Sequence, residues 1–245
     1  MLGRLRDRHD PERAFIGYFV VGWLFKVPLA TQALVLWSLA RLARGFQWQR
    51  VRRAELHLLA PVIFLGIYFN FFFRTQIGFR FFLPALPYLF VLCGSLLAEA
   101  GGIGPWARRV AGGLLVGLAL SVLSHFPHYL SYFNELVWDR KMSYRILADS
   151  NLEWGQDRGY LRDYVRAHPE VIVHPRRPVA GRIVVSVNRF VGVFREPQYR
   201  WLRESFEPVD RVAGSYLVFE ITPAALERAL SHRGLREGDP AVRNP

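Results

Sequence analysis

Five polar side chains crowd into nine residues at Asp149, Asn151, Glu153, Gln156 and Asp157, with an indole, Trp154, among them. Carboxylates and amides beside an aromatic ring are a mixture common in carbohydrate sites, so this stretch is a candidate for sugar or acceptor contact. The plainer reading makes Asp149 or Ser150 a helix N-cap, which leaves the tryptophan unexplained. Upstream, residues 125–136 (HFPHYLSYFNEL) gather aromatic and histidine side chains with Tyr132, Asn134 and Glu135. The aromatics suit a belt at a membrane–water interface.

A second chemistry is suggested by Arg74 and Arg80, two cations in the eight-residue stretch FRTQIGFR. Guanidinium groups at the mouths of membrane helices can hold a lipid phosphate through bidentate hydrogen bonds, and Lys26 can reach the same surface. Equally, such arginines can simply anchor helix ends. His125 and His128 lie three apart, but Pro127 between them disfavours a shared helical face. No cysteine pair or HExxH motif accompanies them. No metal and no bound cofactor are therefore expected. A phosphate-cradling glycine loop, a dinucleotide fingerprint and a GxSxG elbow are all missing from the sequence.

The elements that would position these groups are read from the apolar runs. Crossing about 30 Å of hydrocarbon takes about 20 helical residues. Four runs approach that length: Val27–Ala43, Leu56–Phe73, Phe81–Ala98 and Val110–His125. The expected fold is a multi-pass α-helical membrane domain of about four spans, residues 1–126, followed by a small exterior α/β domain, residues 127–245. Before the first run, residues 14–26 (AFIGYFVVGWLFK) either lie in the headgroup region or extend the first span as one tilted helix. In the second domain, Arg182–Phe194 and Ser215–Thr222 read as strands. Tyr160–His168 and the stretch after Thr222-Pro223 read as helices, and the tail GDPAVRNP reads as disordered.

Charge sets the orientation. The stretch Arg41–Arg53 holds five arginines and no acid, and Arg108 and Arg109 sit between the third and fourth runs. Both read as cytoplasmic. This makes the Arg74–Arg80 loop and the second domain exterior, in a cell membrane. The four arginines of the N-terminal tail, offset by Asp7, Asp10 and Glu12, run against that assignment.

Net charge is +12, with 30 arginines and two lysines, Lys26 and Lys141. Residues 1–126 carry 14 basic and 5 acidic side chains, and residues 127–245 carry 18 and 15. The excess lies beside the apolar runs, where it meets lipid phosphate, and not on a soluble face as nucleic-acid binding would need. The single cysteine, Cys93, rules out an intramolecular disulfide. A transporter would carry ionisable groups at mid-membrane, and these runs have almost none.

Four stretches in order resemble the C-terminal half of the GT-C type glycosyltransferases that use polyprenyl-phosphate sugars. That family is similar to the protein O-mannosyltransferases and the lipid A aminoarabinose transferases. The stretches are Lys26-Val27-Pro28, residues 77–84 (IGFRFFLP), residues 127–136 (PHYLSYFNEL) and residues 149–157 (DSNLEWGQD). Two departures stand out. Family members continue with glycines where this chain has Val137-Trp138-Asp139-Arg140, and Glu153 stands where aspartate is usual. The resemblance implies transfer of a sugar from a polyprenyl-phosphate donor to an exterior acceptor. It also implies phosphate contact by Arg74, Arg80 and Lys26, and sugar or acceptor contact, or bracing of the exterior domain, by Tyr132, Asn134, Glu135, Asp149, Asn151, Glu153, Trp154, Gln156 and Asp157. The family's catalytic carboxylates lie in an earlier loop that nothing here matches, so the catalytic base is unassigned. The expectation is a C-terminal or split portion that is inactive alone and needs an upstream membrane fragment. The alternative is a non-catalytic membrane module displaying an interaction domain.

Overall fold

The computed structural model describes residues 16–44, 55–73, 76, 78–98, 104–193 and 197–231. The chain divides between Trp138 and Asp139 into two units.

The first unit is helical. Helix α1 (Tyr18–Lys26) follows a left-handed Gly17 with φ 97°, and α2 (Leu29–Arg44) starts directly after Pro28. Helix α3 (Glu55–Ile67) runs on into a π-turn at Tyr68–Phe72. A 3₁₀ segment, Phe79–Ala85, leads into α4 (Leu86–Ala98), and α5 (Pro105–Leu123) ends the series. Helix α2 packs on α4 and α5, α3 packs on α4, and α1 packs on the 3₁₀ segment. The buried residues cluster where α1 meets that segment: Tyr18, Phe19, Phe79, Phe82 and Ala85.

The expectation of about four spans does not hold. Among the described residues, Pro105–Leu123 is the one helix long and apolar enough to cross a membrane, or one of two if α1 and α2, bent by 112°, count as one broken span. Three of the four apolar runs do not make unbroken helices long enough to cross. Pro28, at the start of the first run, ends α1, because it supplies no N–H and its ring crowds the preceding turn, and α2 beyond it has 16 residues. In the third run, Pro84 lies inside the 3₁₀ segment. Helix α4 then has only 13 residues, or about 20 Å at 1.5 Å per residue. The second run changes to π geometry after Ile67. Nor does α1 extend α2 as a single straight helix.

The second unit is α/β. After α6 (Arg158–Ala167) come β1 (Ile172–Val173), β2 (Gly181–Ser186), α7 (Val187–Val191), α8 (Arg200–Ser205), β3 (Asp210–Val212), β4 (Tyr216–Ile221) and α9 (Pro223–Ser231). The sheet order is β1-β2-β4-β3. The central antiparallel pair runs from Gly181 opposite Ile221 to Ser186 opposite Tyr216. β1 is parallel to β2, and β3 is antiparallel to β4. Alternation along the strands gives the sheet two apolar faces. Val184, Val212, Tyr216 and Val218 pack with Val171 and with Leu161 and Tyr164 of α6. On the other face Phe219 meets Phe190 of α7, ring centroids 5.2 Å apart. Ile183, Val184, Val185, Val218 and Phe219 are wholly buried, each worth about 1.5–3 kcal/mol.

The strand expected at Arg182–Phe194 stops at Ser186. The Ser186 hydroxyl accepts from the Arg189 N–H (3.5 Å), and Gly192 at φ 82° closes the short helix α7. Thr222 caps α9 by accepting from the Ala225 N–H at 3.3 Å. The GDPAVRNP tail lies outside the described residues.

Candidate functional site

The break after Lys26 is where the first unit concentrates its polar chemistry. A helix end leaves its last carbonyls without intrahelical donors; here the Val27 N–H still reaches Trp23 at 3.3 Å, and the carbonyls beyond it, from Leu24 to Val27, need other donors. Gln32, one turn into α2, sends its amide Nε2 to the carbonyls of Trp23 (3.1 Å), Leu24 (3.1 Å) and Val27 (2.9 Å). Asn134 sends Nδ2 to Leu24 (2.6 Å) and Val27 (2.7 Å), and its backbone N–H donates to Phe25 (2.9 Å). Its own Oδ1 accepts from the Leu136 N–H at 3.2 Å. Both amides are buried, Asn134 at 2% exposure.

The segment 130–135 closes over both half-helices. Lys26 Nζ donates to the Leu130 carbonyl at 2.9 Å and stands 4.7 Å from the centre of the Phe133 ring. The Glu135 carboxylate accepts from the Leu29 N–H at 3.4 Å, at the N-terminus of α2, where an anion is favoured. Burial works to raise the Glu135 carboxyl, but hydrogen bonds from the Ser121 hydroxyl and from the backbone N–H groups of Glu135 and Leu29 outweigh it. With nearby His125 they hold the carboxyl below the usual range. Tyr132 exchanges a hydrogen bond with the Ser121 hydroxyl at 2.8 Å, and its ring lies 4.5 Å from that of His125. His125 turns Nδ1 to the Ser121 carbonyl (3.1 Å) and the Ser124 hydroxyl (3.0 Å).

Arg80 lies on the 3₁₀ segment, exposed, with its guanidinium 5.1 Å from the centre of the Phe81 ring. Arg74 lies outside the described residues. The segment carrying Arg80 packs on the helix that carries Lys26: Phe82 meets Trp23 edge-on at 6.4 Å, and Phe79 sits against Gly22. A methyl group at Gly22 would collide with the Phe79 ring. Lys26, Tyr132, Asn134 and Glu135 are thus gathered about one joint, with the Arg80 segment packed on its first helix.

In the second unit, residues 149–157 are largely occupied in holding their own fold. Asp149 takes a left-handed φ of 61°, and its carbonyl accepts from the N–H groups of Leu152 (2.9 Å) and Glu153 (3.0 Å). Asn151, buried, donates to the Ala148 carbonyl at 3.0 Å. Gln156 accepts from the Trp154 N–H (2.7 Å) and donates to the Leu152 carbonyl (2.9 Å). Asp157, 1% exposed, accepts from the Gly214 N–H (3.1 Å) and the Ser215 hydroxyl (2.9 Å), tying the segment to the turn before β4. The Glu153 carboxylate accepts from the Asn188 N–H at 2.9 Å, in the first turn of α7. Burial pushes the Glu153 carboxyl up, against hydrogen bonds from Asn188 and Ser186. Trp154 leaves 58% of its surface exposed.

Sequence reasoning missed Gln32, Ser121 and Gly22 in the first unit, and Asn188 and Ser215 in the second. Gln32 had a visible signal: it is the single amide in the apolar run VPLATQALVL. Among the described residues no three His, Cys, Asp or Glu side chains gather as metal ligands would. Compared with known proteins, the chain matches no family model, no curated protein and no solved structure.

Proposed function

We propose that the chain is a membrane-bound portion of a glycosyl-transfer machinery that takes a sugar from a polyprenyl phosphate and passes it to an exterior acceptor. The observation that carries this reading is the placement of the Lys26 ammonium. It is fixed at a helix break by Leu130 and Phe133, on a helix packed against the segment that presents Arg80. Fixed cations beside apolar helices suit a lipid phosphate, whose negative charge grows as the sugar leaves. In this reading the first unit holds the lipid carrier. The α/β unit faces the acceptor, with the Trp154 indole as its outward aromatic surface.

The test is binding of a polyprenyl phosphate to the full chain in lipid nanodiscs. Arg80→Ala should weaken binding by about 10- to 150-fold, the loss of one charge-assisted hydrogen bond of about 1.5–3 kcal/mol. Arg109→Ala, in the first turn of α5, should change it little. Equal effects from the two variants would reduce Arg80 to a helix-end anchor and remove the phosphate site.

A second reading, a non-catalytic membrane module, is favoured by one observation. Asn151, Gln156 and Asp157 spend their polar atoms on the fold of the second unit, as bracing residues would. Under it, labelled polyprenyl-phosphate sugar would give no transfer even with every other membrane component supplied.

A further inference from the structure

We infer that the outer surface of the α1–α2 joint is a contact surface for lipid acyl chains, and that Gln32 and Asn134 seal the broken helix there by standing in for water. This rests on the membrane assignment above and on none of the sugar chemistry. At a helix end in water, the last carbonyls are hydrated and need no side-chain donors. In hydrocarbon an interrupted backbone is tolerated only where protein groups satisfy it. Here two buried amides, one contributed from the far end of the unit, donate to the carbonyls of Trp23, Leu24 and Val27, and the Asn134 N–H takes that of Phe25.

The side chains at the joint point the other way. Val20 and Leu24, four apart on one face of α1, are 53% and 42% exposed, and Ile16, just before the helix, is 69% exposed. Leu24 therefore turns its carbonyl inward to two amides and its side chain outward. Leu36 of α2 is also exposed, and so is most of α5, including Leu115, Val116 and Leu120. An apolar stripe that runs up to a break capped by side-chain amides is costly in water and favourable against acyl chains. Trp138, which ends the segment that closes the joint, is 96% exposed and fits the headgroup level.

Site-directed spin labelling of the full chain in phosphatidylcholine nanodiscs tests this, in a Cys93→Ser background. Single cysteines replace Leu24, Val116 on α5, or Trp138, and each label is read by power saturation with oxygen and with a water-soluble nickel chelate. Labels at 24 and 116 should be relaxed mainly by oxygen, and the label at 138 mainly by nickel. Nickel dominance at 24 with oxygen dominance at 116 would overturn the joint's lipid contact and leave the membrane assignment standing. Nickel dominance at all three would remove the membrane assignment itself. Adding Gln32→Leu and Asn134→Leu together should raise nickel access at 24, as water replaces both lost amides. If access at 24 stays unchanged, the amides are packing and the sealing role is wrong.

Discussion

Gln32 and Asn134 donate to the same two carbonyls, those of Leu24 and Val27, at one helix break. The first comes from the next turn of the chain and the second from a loop far along it. The break is therefore held by a local contact and a tertiary contact together, and each should lose stability when cut. Asn134→Leu removes the Nδ2 donors and leaves both carbonyls to Gln32 alone, so the cost is that of the lost bonds, about 0.5–1.5 kcal/mol each. Thermal unfolding of the detergent-solubilised chain should show a clearly lowered midpoint. Asn134→Asp should be worse, because a carboxylate would face carbonyl oxygens. A midpoint unchanged in both variants would mean the loop does not hold the joint.

Gly22 should refuse a methyl group. Gly22→Ala drives a Cβ into the Phe79 ring, an overpacking cost of about 1–3 kcal/mol. Phe79→Leu in the same chain should recover part of it, and a double-mutant cycle on the unfolding midpoint reads the coupling. Strict additivity would show that the two residues do not touch.

His174 gives the second unit a pH dependence. Burial, reinforced by Arg189, lowers its pKa from 6.5 to about 4, so the folded unit prefers the neutral ring. Between pH 6.5 and about 4 the unfolded chain binds the extra proton, and stability should fall as pH drops through that window. His174 holds a left-handed φ of 51°, which asparagine tolerates. His174→Asn should therefore flatten the profile there without breaking the turn. Denaturant unfolding at several pH values measures it, and an equal slope in both proteins would show that the ring is free to charge.

Asp157 is the acceptor for two donors of the turn before β4. Asp157→Ala strands the Gly214 N–H and the Ser215 hydroxyl in a buried place, at about 1–3 kcal/mol each. Asp157→Asn keeps one acceptor oxygen and should lose less. Hydrogen exchange at Gly214 should rise in the alanine variant above the asparagine one; no change in either would assign the carboxylate a role other than bracing.

Orientation is open to a direct test. With Cys93 replaced, a cysteine at Gln47 should resist an impermeant thiol reagent in intact cells, and one at Ser231 should react. The reverse pattern would put the α/β unit on the cytoplasmic side and remove an exterior acceptor site.

The parts of the fold legible in the sequence were those with a clear local composition. Ser215–Thr222 reads as a strand from its β-branched and aromatic residues, where β4 forms at Tyr216–Ile221; Tyr160–His168 reads as a helix, where α6 forms at Arg158–Ala167; and the start of α9 reads from the Thr222-Pro223 cap. Span counting failed because hydropathy sums residues, whereas crossing needs an unbroken ladder of backbone hydrogen bonds. Pro28, Pro84 and the π-turn at Tyr68–Phe72 break that ladder while leaving the composition apolar. The turn from β2 into α7 escaped for a related reason, since Val187 and Phe190 suit a strand as well as a helix and the deciding atom is the Ser186 hydroxyl. At the candidate site, Lys26 and Asn134 were singled out separately. Their meeting was not legible, because an amide that donates to main-chain carbonyls leaves no complementary residue type for a pattern to find.

The sheet of the second unit ends on both sides in very little strand: two residues in β1 and three in β3. A sheet margin offers its unpaired N–H and C=O groups to any other chain, and a long flat margin invites fibrous association. Here the six-residue strands lie in the middle, and the margins are too short to template another strand. Asp210 and Arg211 add charge of both signs to one of them. Copies of this unit can therefore crowd together without zipping into one another.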